Sequence, residues 1–134
     1  MDQVRIGIIG TSWWADTMYL PALAGNEKAV VVACCGRNEE RARKLADIWE
    51  IPKVYTDWQT MLNEEPLDAL IISSTNATHC PVTLAALEKG LHVLCEKPLA
   101  LNYTEAQRML ESAQSHQAIT MVPFTYSFLP MTQT

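Results

Sequence analysis

The chain predicts an α/β fold, a doubly wound parallel sheet of about six strands in a three-layer αβα arrangement. Three observations predict it. Short apolar runs rich in β-branched residues recur along the sequence. Stretches with helical periodicity separate them. A glycine turn, IGIIGTSWWA, joins the first run to the first helix. Such alternation argues for parallel strands with helices on both faces and right-handed crossovers.

Val4–Ile9 is a β-branched run, the pattern of a strand covered on both sides. A turn and a helix over roughly Trp13 to Leu23 follow. Ala29–Cys35 is the second strand. Glu39–Trp49 is a charged amphipathic helix, with Ala42, Leu45, Ala46 and Trp49 on one face. Val54 and Tyr55 form a short third strand, and Trp58, Met61 and Leu62 belong to the short helix after it. Leu67–Ile72 is the fourth strand, entered through Pro66. Pro81–Glu88 is helical and stops at Gly90, a C-cap. Leu91–Cys95 is the fifth strand, broken by Pro98. Asn102 is the N-cap of a helix reaching about Gln114, and Glu105 completes a capping box. Ile119–Val122 is the sixth strand. Met18, Met61, Met109 and Met121 sit at core spacings. Residues 1–122 read as one sheet domain, and 123–134, with FTYSFLP, as the start of a second.

Composition narrows the function classes. A chain 49% hydrophobic and 19% charged has the make-up of an ordinary globular domain. No apolar run is long enough to span a bilayer. The net charge of −5 argues against binding nucleic acid through its phosphates. The start, MDQVRIGIIG, lacks the basic segment and cleavage site of a secretory signal, so the expected compartment is the cytoplasm. The four cysteines, Cys34, Cys35, Cys80 and Cys95, form no CxxC pair. They read as buried reduced thiols, and no metal site is expected.

Gly10-Thr11-Ser12-Trp13-Trp14-Ala15 stands where the G-x-G-x-x-G/A fingerprint of a dinucleotide site belongs, after a strand and opening a helix. Gly10 and Ala15 fit it. Ser12 replaces the second glycine, and its hydroxyl is a candidate donor to a phosphate oxygen at the helix N-terminus. Trp13 and Trp14 read either as packing residues or as one ring lying across the cofactor.

The second strand ends Cys34-Cys35-Gly36-Arg37-Asn38, without the carboxylate that grips an adenosine 2′-hydroxyl in NAD-binding folds. Gly36 leaves room and Arg37 brings charge, which suits the 2′-phosphate of NADP; NAD is the other expectation. An exposed arginine with no ligand is the bland reading. The fourth strand ends at Ser73-Ser74-Thr75-Asn76, followed by His79. The fifth ends at Cys95-Glu96-Lys97-Pro98, where Lys97 is a candidate to orient substrate or carry a proton. A surface turn and a helix-start histidine are the alternatives for Lys97 and His79. His92 reads as structural and His116 as solvated.

Together IGIIGTSWWA, LIISSTNATH and HVLCEKPLAL resemble the N-terminal domain of the Gfo/Idh/MocA oxidoreductases, from Val4 to about Pro130. The resemblance implies a Rossmann domain followed by an α/β domain with an open sheet. It implies that Lys97, with Glu96 and Pro98 beside it, lies near the nicotinamide and substrate. It also implies that Asn76 and His79 line the cofactor site, in a segment from which Ser73, Ser74 and Thr75 depart, and that FTYSFLP opens the second domain. Ser74 and Thr75, at the end of the fourth strand, are themselves candidate cofactor contacts. Thr125 and Ser127 depart from the polar and basic positions of that opening segment. The catalytic histidine of such enzymes comes from the second domain.

The expected chemistry is hydride transfer between the nicotinamide and a hydroxyl-bearing carbon of a sugar, cyclitol or related compound. The 134 residues alone are expected to hold cofactor without turnover, and the whole enzyme to be a homo-oligomer. Two rivals share this half: an imine or biliverdin-type reductase, and a dinucleotide-sensing regulatory module.

Overall fold

The structure, a computed structural model, describes residues 3–129. Its strands are β1 (Val4–Ile9), β2 (Ala29–Cys35), β3 (Lys53–Tyr55), β4 (Ala69–Ile72), β5 (His92–Cys95) and β6 (Thr120–Met121). The helices are α1 (Leu20–Leu23), α2 (Glu39–Trp49), α3 (Trp58–Glu64), α4 (Asn76–Glu88) and α5 (Tyr103–Ser115). All strand pairs are parallel, in the order β3-β2-β1-β4-β5-β6. The expected doubly wound sheet is therefore present. The order reverses between β1 and β4, and such a switch point opens a crevice at the carboxyl ends of the strands.

Period-two alternation divides the core. Ile8, Cys34 and Ile71 pack on one face with Ala15, Leu20, Leu45 and Ala46. Ile9, Cys35 and Ile72 pack on the other with Met61, Val82, Leu87 and Met109. Neighbouring residues such as Cys34 and Cys35 thus feed opposite layers. All four cysteines are buried and free. Burial pushes the Cys34 and Cys95 thiols up to about 11 and, with nearby Asp57, the Cys35 thiol up to about 12.

Several expectations change. Residues 13–23 are helical, but Ala15–Tyr19 is a widened π-turn closed by Leu20 N–H donating to the Ala15 carbonyl. Pro21 follows directly; it has no N–H for the carbonyl four residues back and its ring crowds that carbonyl, so a wider turn fits. The fourth helix starts at Asn76, five residues before Pro81, which it carries inside. The expected range Pro81–Glu88 is thus extended by a turn and more, whose first residues are ordered by Thr78 Oγ1 donating to Thr75 O at 2.7 Å. β6 is only two residues long, and Ile119 and Met121 are exposed. Met18 is exposed too, so only Met61 and Met109 of the four methionines are core. β6 is an edge, with nothing among the described residues beyond it to cover its side chains.

The expected second segment, 123–134, is described as far as Leu129 and forms a short 3₁₀ turn over Thr125–Phe128. Pro130 and the residues after it lie outside the described residues.

Candidate functional site

The turns after β1, β2 and β4 meet at one end of the sheet. Gly10 sits at φ +108°, and a Cβ there would lie 2.5 Å from the Ser73 carbonyl carbon and oxygen. Both its conformation and the backbone beside it demand glycine. A Cβ on Gly36 would lie 2.4 Å from Thr11 Oγ1, so the Thr11 side chain folds into the space a larger residue would fill. The β1 and β2 turns are pressed together by these contacts. Ser73 Oγ donates to the Ile9 carbonyl at 3.3 Å and joins the β4 turn to the same cluster.

These turns border a groove of about 600 Å³, within the usual size of a cofactor pocket. Gly10, Thr11, Ser12, Arg37, Asn38, Ser74 and Thr75 line it as expected. Arg41, Thr56, Asp57, Trp58 and Thr78 line it as well, and sequence reading missed them. The rule that ligands gather beyond strand ends points to Thr56, Asp57 and Trp58, which directly follow β3. Arg41 lies in the first turn of α2, directly after the Arg37-Asn38 turn that ends β2.

Local bonds fix this wall. Asn38 caps α2 by accepting from Arg41 N–H at 2.8 Å, so its amide oxygen is engaged with the helix. Asp57 caps α3, accepting from Thr60 N and Oγ1 at 2.7 Å each, and those bonds hold its carboxyl below the usual carboxylate range. Ser74 and Thr78 hydroxyls lie 2.6 Å apart. Thr78 gives its proton to Thr75 O, so Ser74 is the donor between them. The Arg37 and Arg41 side chains make no hydrogen bond or ion pair among the described residues, and both are exposed. Two unpaired guanidinium groups on a groove wall are a site for an anion.

The other expected residues lie outside that lining. Asn76 is exposed at the start of α4. His79 is 1% exposed inside α4. Its Nδ1 is 2.8 Å from Pro98 O and its Nε2 3.3 Å from Ser74 O, so the ring spans from the β4 turn to the β5 turn beneath the surface. A neutral imidazole donates to one of these carbonyls, and the Pro98 contact is the shorter. Trp13 is exposed, and its ring centroid lies 5.9 Å from that of Trp14. Glu96 is 6% exposed and faces inward. Its Oε1 accepts from Trp14 Nε1 at 2.6 Å and from the Tyr19 hydroxyl, and its Oε2 from Lys97 N at 3.1 Å. Burial, then the Glu96 hydrogen bond and charge, push the Tyr19 phenol well above its ordinary value. The Lys97 side chain is exposed and has no partner among the described residues. The Lys97–Pro98 peptide is cis.

Among the described residues no cluster of three or more His, Cys, Asp or Glu side chains is arranged for a metal, and no helix is long and apolar enough to cross a membrane.

Residues 4–124 match the family described as "Oxidoreductase family, NAD-binding Rossmann fold". D-xylose 1-dehydrogenase (NADP(+)) 2 of Haloferax volcanii is 34% identical over 130 residues, 97% of this chain and 40% of that protein. The scyllo-inositol 2-dehydrogenase (NADP(+)) of Bacillus subtilis is 34% identical over 128 residues, 96% of this chain and 39% of its own length. Among solved structures, a probable dehydrogenase from Thermotoga maritima superposes with a TM-score of 0.87 at 29% identity, covering 93% of this chain and 37% of that one. The chain thus spans about two fifths of the curated relatives it matches.

Proposed function

Since the chain belongs to the Gfo/Idh/MocA oxidoreductase family, whose matched part is an NAD-binding Rossmann fold, we propose that it is the cofactor-holding domain, 1–122, of a dehydrogenase acting on a sugar or cyclitol hydroxyl, with NADP preferred. The segment 123–134 leads into the substrate domain on this reading. The observation that carries the NADP preference is the pair of unpartnered guanidinium groups, Arg37 and Arg41, on the groove wall. No carboxylate ends β2, where Gly36 and Arg37 stand instead. The two named relatives are NADP(+) dehydrogenases of a pentose and an inositol.

The groove residues fit a dinucleotide. Its volume suits one, the Gly10–Ser12 turn brings backbone close to it, and its free cations match phosphate charge. Bound there, the nicotinamide supplies the hydride acceptor and donor. Gly10, Thr11 and Ser12 hold the pyrophosphate, and Arg37 and Arg41 the 2′-phosphate. Trp58 gives an apolar surface to the adenine side of the groove. Lys97, free and exposed, holds a ribose hydroxyl or polarises the reacting oxygen through its ammonium. Trp13 and Trp14 flank the opening of the turn, and Asn76 and His79 carry the loop that faces it. A base from outside the 134 residues takes the substrate proton. The whole protein acts in the cytoplasm as a homo-oligomer, without nucleic acid or membrane as partner.

The test is titration of the chain with NADPH and NADH by calorimetry. NADPH is expected to bind more tightly, and Arg37→Ala to remove most of that preference. One charge-assisted contact of about 1.5–3 kcal/mol corresponds to roughly 10- to 150-fold. Equal affinity for the two, unchanged by Arg37→Ala, would overturn the NADP reading and leave the Rossmann domain in place.

A further inference from the structure

We propose that Glu96 is a positioning residue that clamps the first helical segment onto the turn carrying Lys97, and so fixes the two sides of the cofactor cleft relative to each other. The proposal rests on the cofactor-domain reading above. It departs from a direct role of the Glu96 carboxylate on the cofactor.

The geometry carries it. Glu96 is a buried carboxylate, and a buried carboxylate needs donors on its oxygens. It has three. Trp14 Nε1 and the Tyr19 hydroxyl reach Oε1, and Lys97 N reaches Oε2. Two of these donors come from residues 82 and 77 positions away. Trp14 belongs to the turn that follows Gly10, and Tyr19 is the last residue of the π-turn. Lys97 is the next residue of the chain, so the same carboxylate also fixes the peptide from which its side chain departs. With both oxygens taken inside, little of Glu96 is left to meet a ligand, and its effect on one must pass through the groups it holds.

The helical segment is held on its other side too. Asp16, in the same π-turn, accepts from Trp49 Nε1 of α2 at 2.6 Å. That bond ties the segment to α2, under the β2 side of the sheet. The Glu96 bonds tie it to the end of β5. His79, reaching Pro98 and Ser74, adds a second link from the β5 turn to the β4 turn. Lys97 thus depends for its place on Glu96 beside it and, through Glu96, on Trp14 and Tyr19 far away in sequence.

The experiment compares Glu96→Gln, Tyr19→Phe and the double variant with the unaltered chain. Calorimetry with NADPH gives affinity, and the indole N–H resonances give the clamp. Glu96→Gln is expected to move the Trp14 indole proton and speed its exchange, while the Trp49 indole proton, bonded to Asp16, stays in place. Each single variant is expected to weaken NADPH by about tenfold, and the double variant by no more than the worse single, because both break one unit. Tyr19 has no place in the groove lining, so weakening by Tyr19→Phe reports the clamp. Weaker binding by Glu96→Gln with Tyr19→Phe unchanged, or additive losses, would overturn the proposal in favour of direct contact. Should Glu96→Gln fail to fold, Tyr19→Phe decides alone by the same two readouts. Should the unaltered chain bind neither NADPH nor NADH, the cofactor-domain reading fails. The clamp is then judged on the Trp14 indole proton: unmoved in Glu96→Gln and Tyr19→Phe, it sinks the clamp as well.

Discussion

The two sides of the cleft are built by different means. On the β1 side the turn meets those after β4 and β2 through backbone and small residues. Gly10 presses on the Ser73 carbonyl, and Thr11 fills the space over Gly36. On the β4–β5 side the turns are held by long side chains, with His79 beneath Pro98 and Glu96 gripping Trp14 and Tyr19. The first side has almost no slack, since a single added methyl group meets the Ser73 backbone at Gly10 and the Thr11 side chain at Gly36. The second is a set of hydrogen bonds, each replaceable at the cost of one bond. On the proposed function, close backbone packing suits a rigid phosphate cradle, and a bonded frame suits a turn that presents Lys97.

That contrast predicts a ranking of effects. Gly10→Ala is expected to be the most damaging change. It combines a disfavoured φ with a 2.5 Å clash against Ser73 backbone, a strain cost above ~1 kcal/mol plus overpacking of about 1–3 kcal/mol. Nucleotide binding should vanish in calorimetry and the melting temperature should fall; normal binding would show that the cradle has slack. Met61→Ala, at a fully buried core residue outside the groove lining, should cost about 2–5 kcal/mol in urea melts and leave NADPH affinity of the folded protein unchanged. Lowered affinity there would mean that the cleft is not mechanically separate from the core.

A smaller effect is expected at Asn102, which caps α5 by accepting from Glu105 N at 2.9 Å. Asn102→Ala should lose about 1 kcal/mol by denaturant titration and spare both sides of the cleft. The Glu105 side chain bonds Leu101 N and should keep part of the turn in place.

The pH dependence is the gentlest probe. Cys34, Cys35 and Cys95 have ordinary values of 9.0, raised in the fold to about 11, 12 and 11. A raised folded value means that the unfolded chain loses its thiol protons first. The thiols' stabilising contribution is whole below pH 9 and is lost as pH rises through about 11. Melting temperature should therefore fall across that window. A thiol reagent at neutral pH should react with the four cysteines only after denaturant is added. Prompt reaction of the native protein would contradict the burial that separates the two sheet faces.

Most of the succession of strands and helices along the chain was legible because it rests on local pattern. β-branched runs, the helix cap at Asn102, and Gly10 after β1 are decided within a few residues. The errors fall where a local signal is ambiguous. Proline at 81 looks like a helix start in isolation, and Met18 or Met121 looks like core until the end of the sheet is known.

By itself the sequence determined the alternation of elements, the glycine turn, the cation at the end of β2 and the Glu-Lys-Pro turn, since each is written in neighbouring residues. The tertiary structure alone decided which of them share a groove, that Arg41, Asp57 and Trp58 join it, and that Glu96 and His79 face inward as braces. The physical reason is range. Backbone conformation and periodicity are set over a turn or two, whereas a buried carboxylate or imidazole takes whichever donor or acceptor the folded sheet brings to it, here from up to 82 residues away.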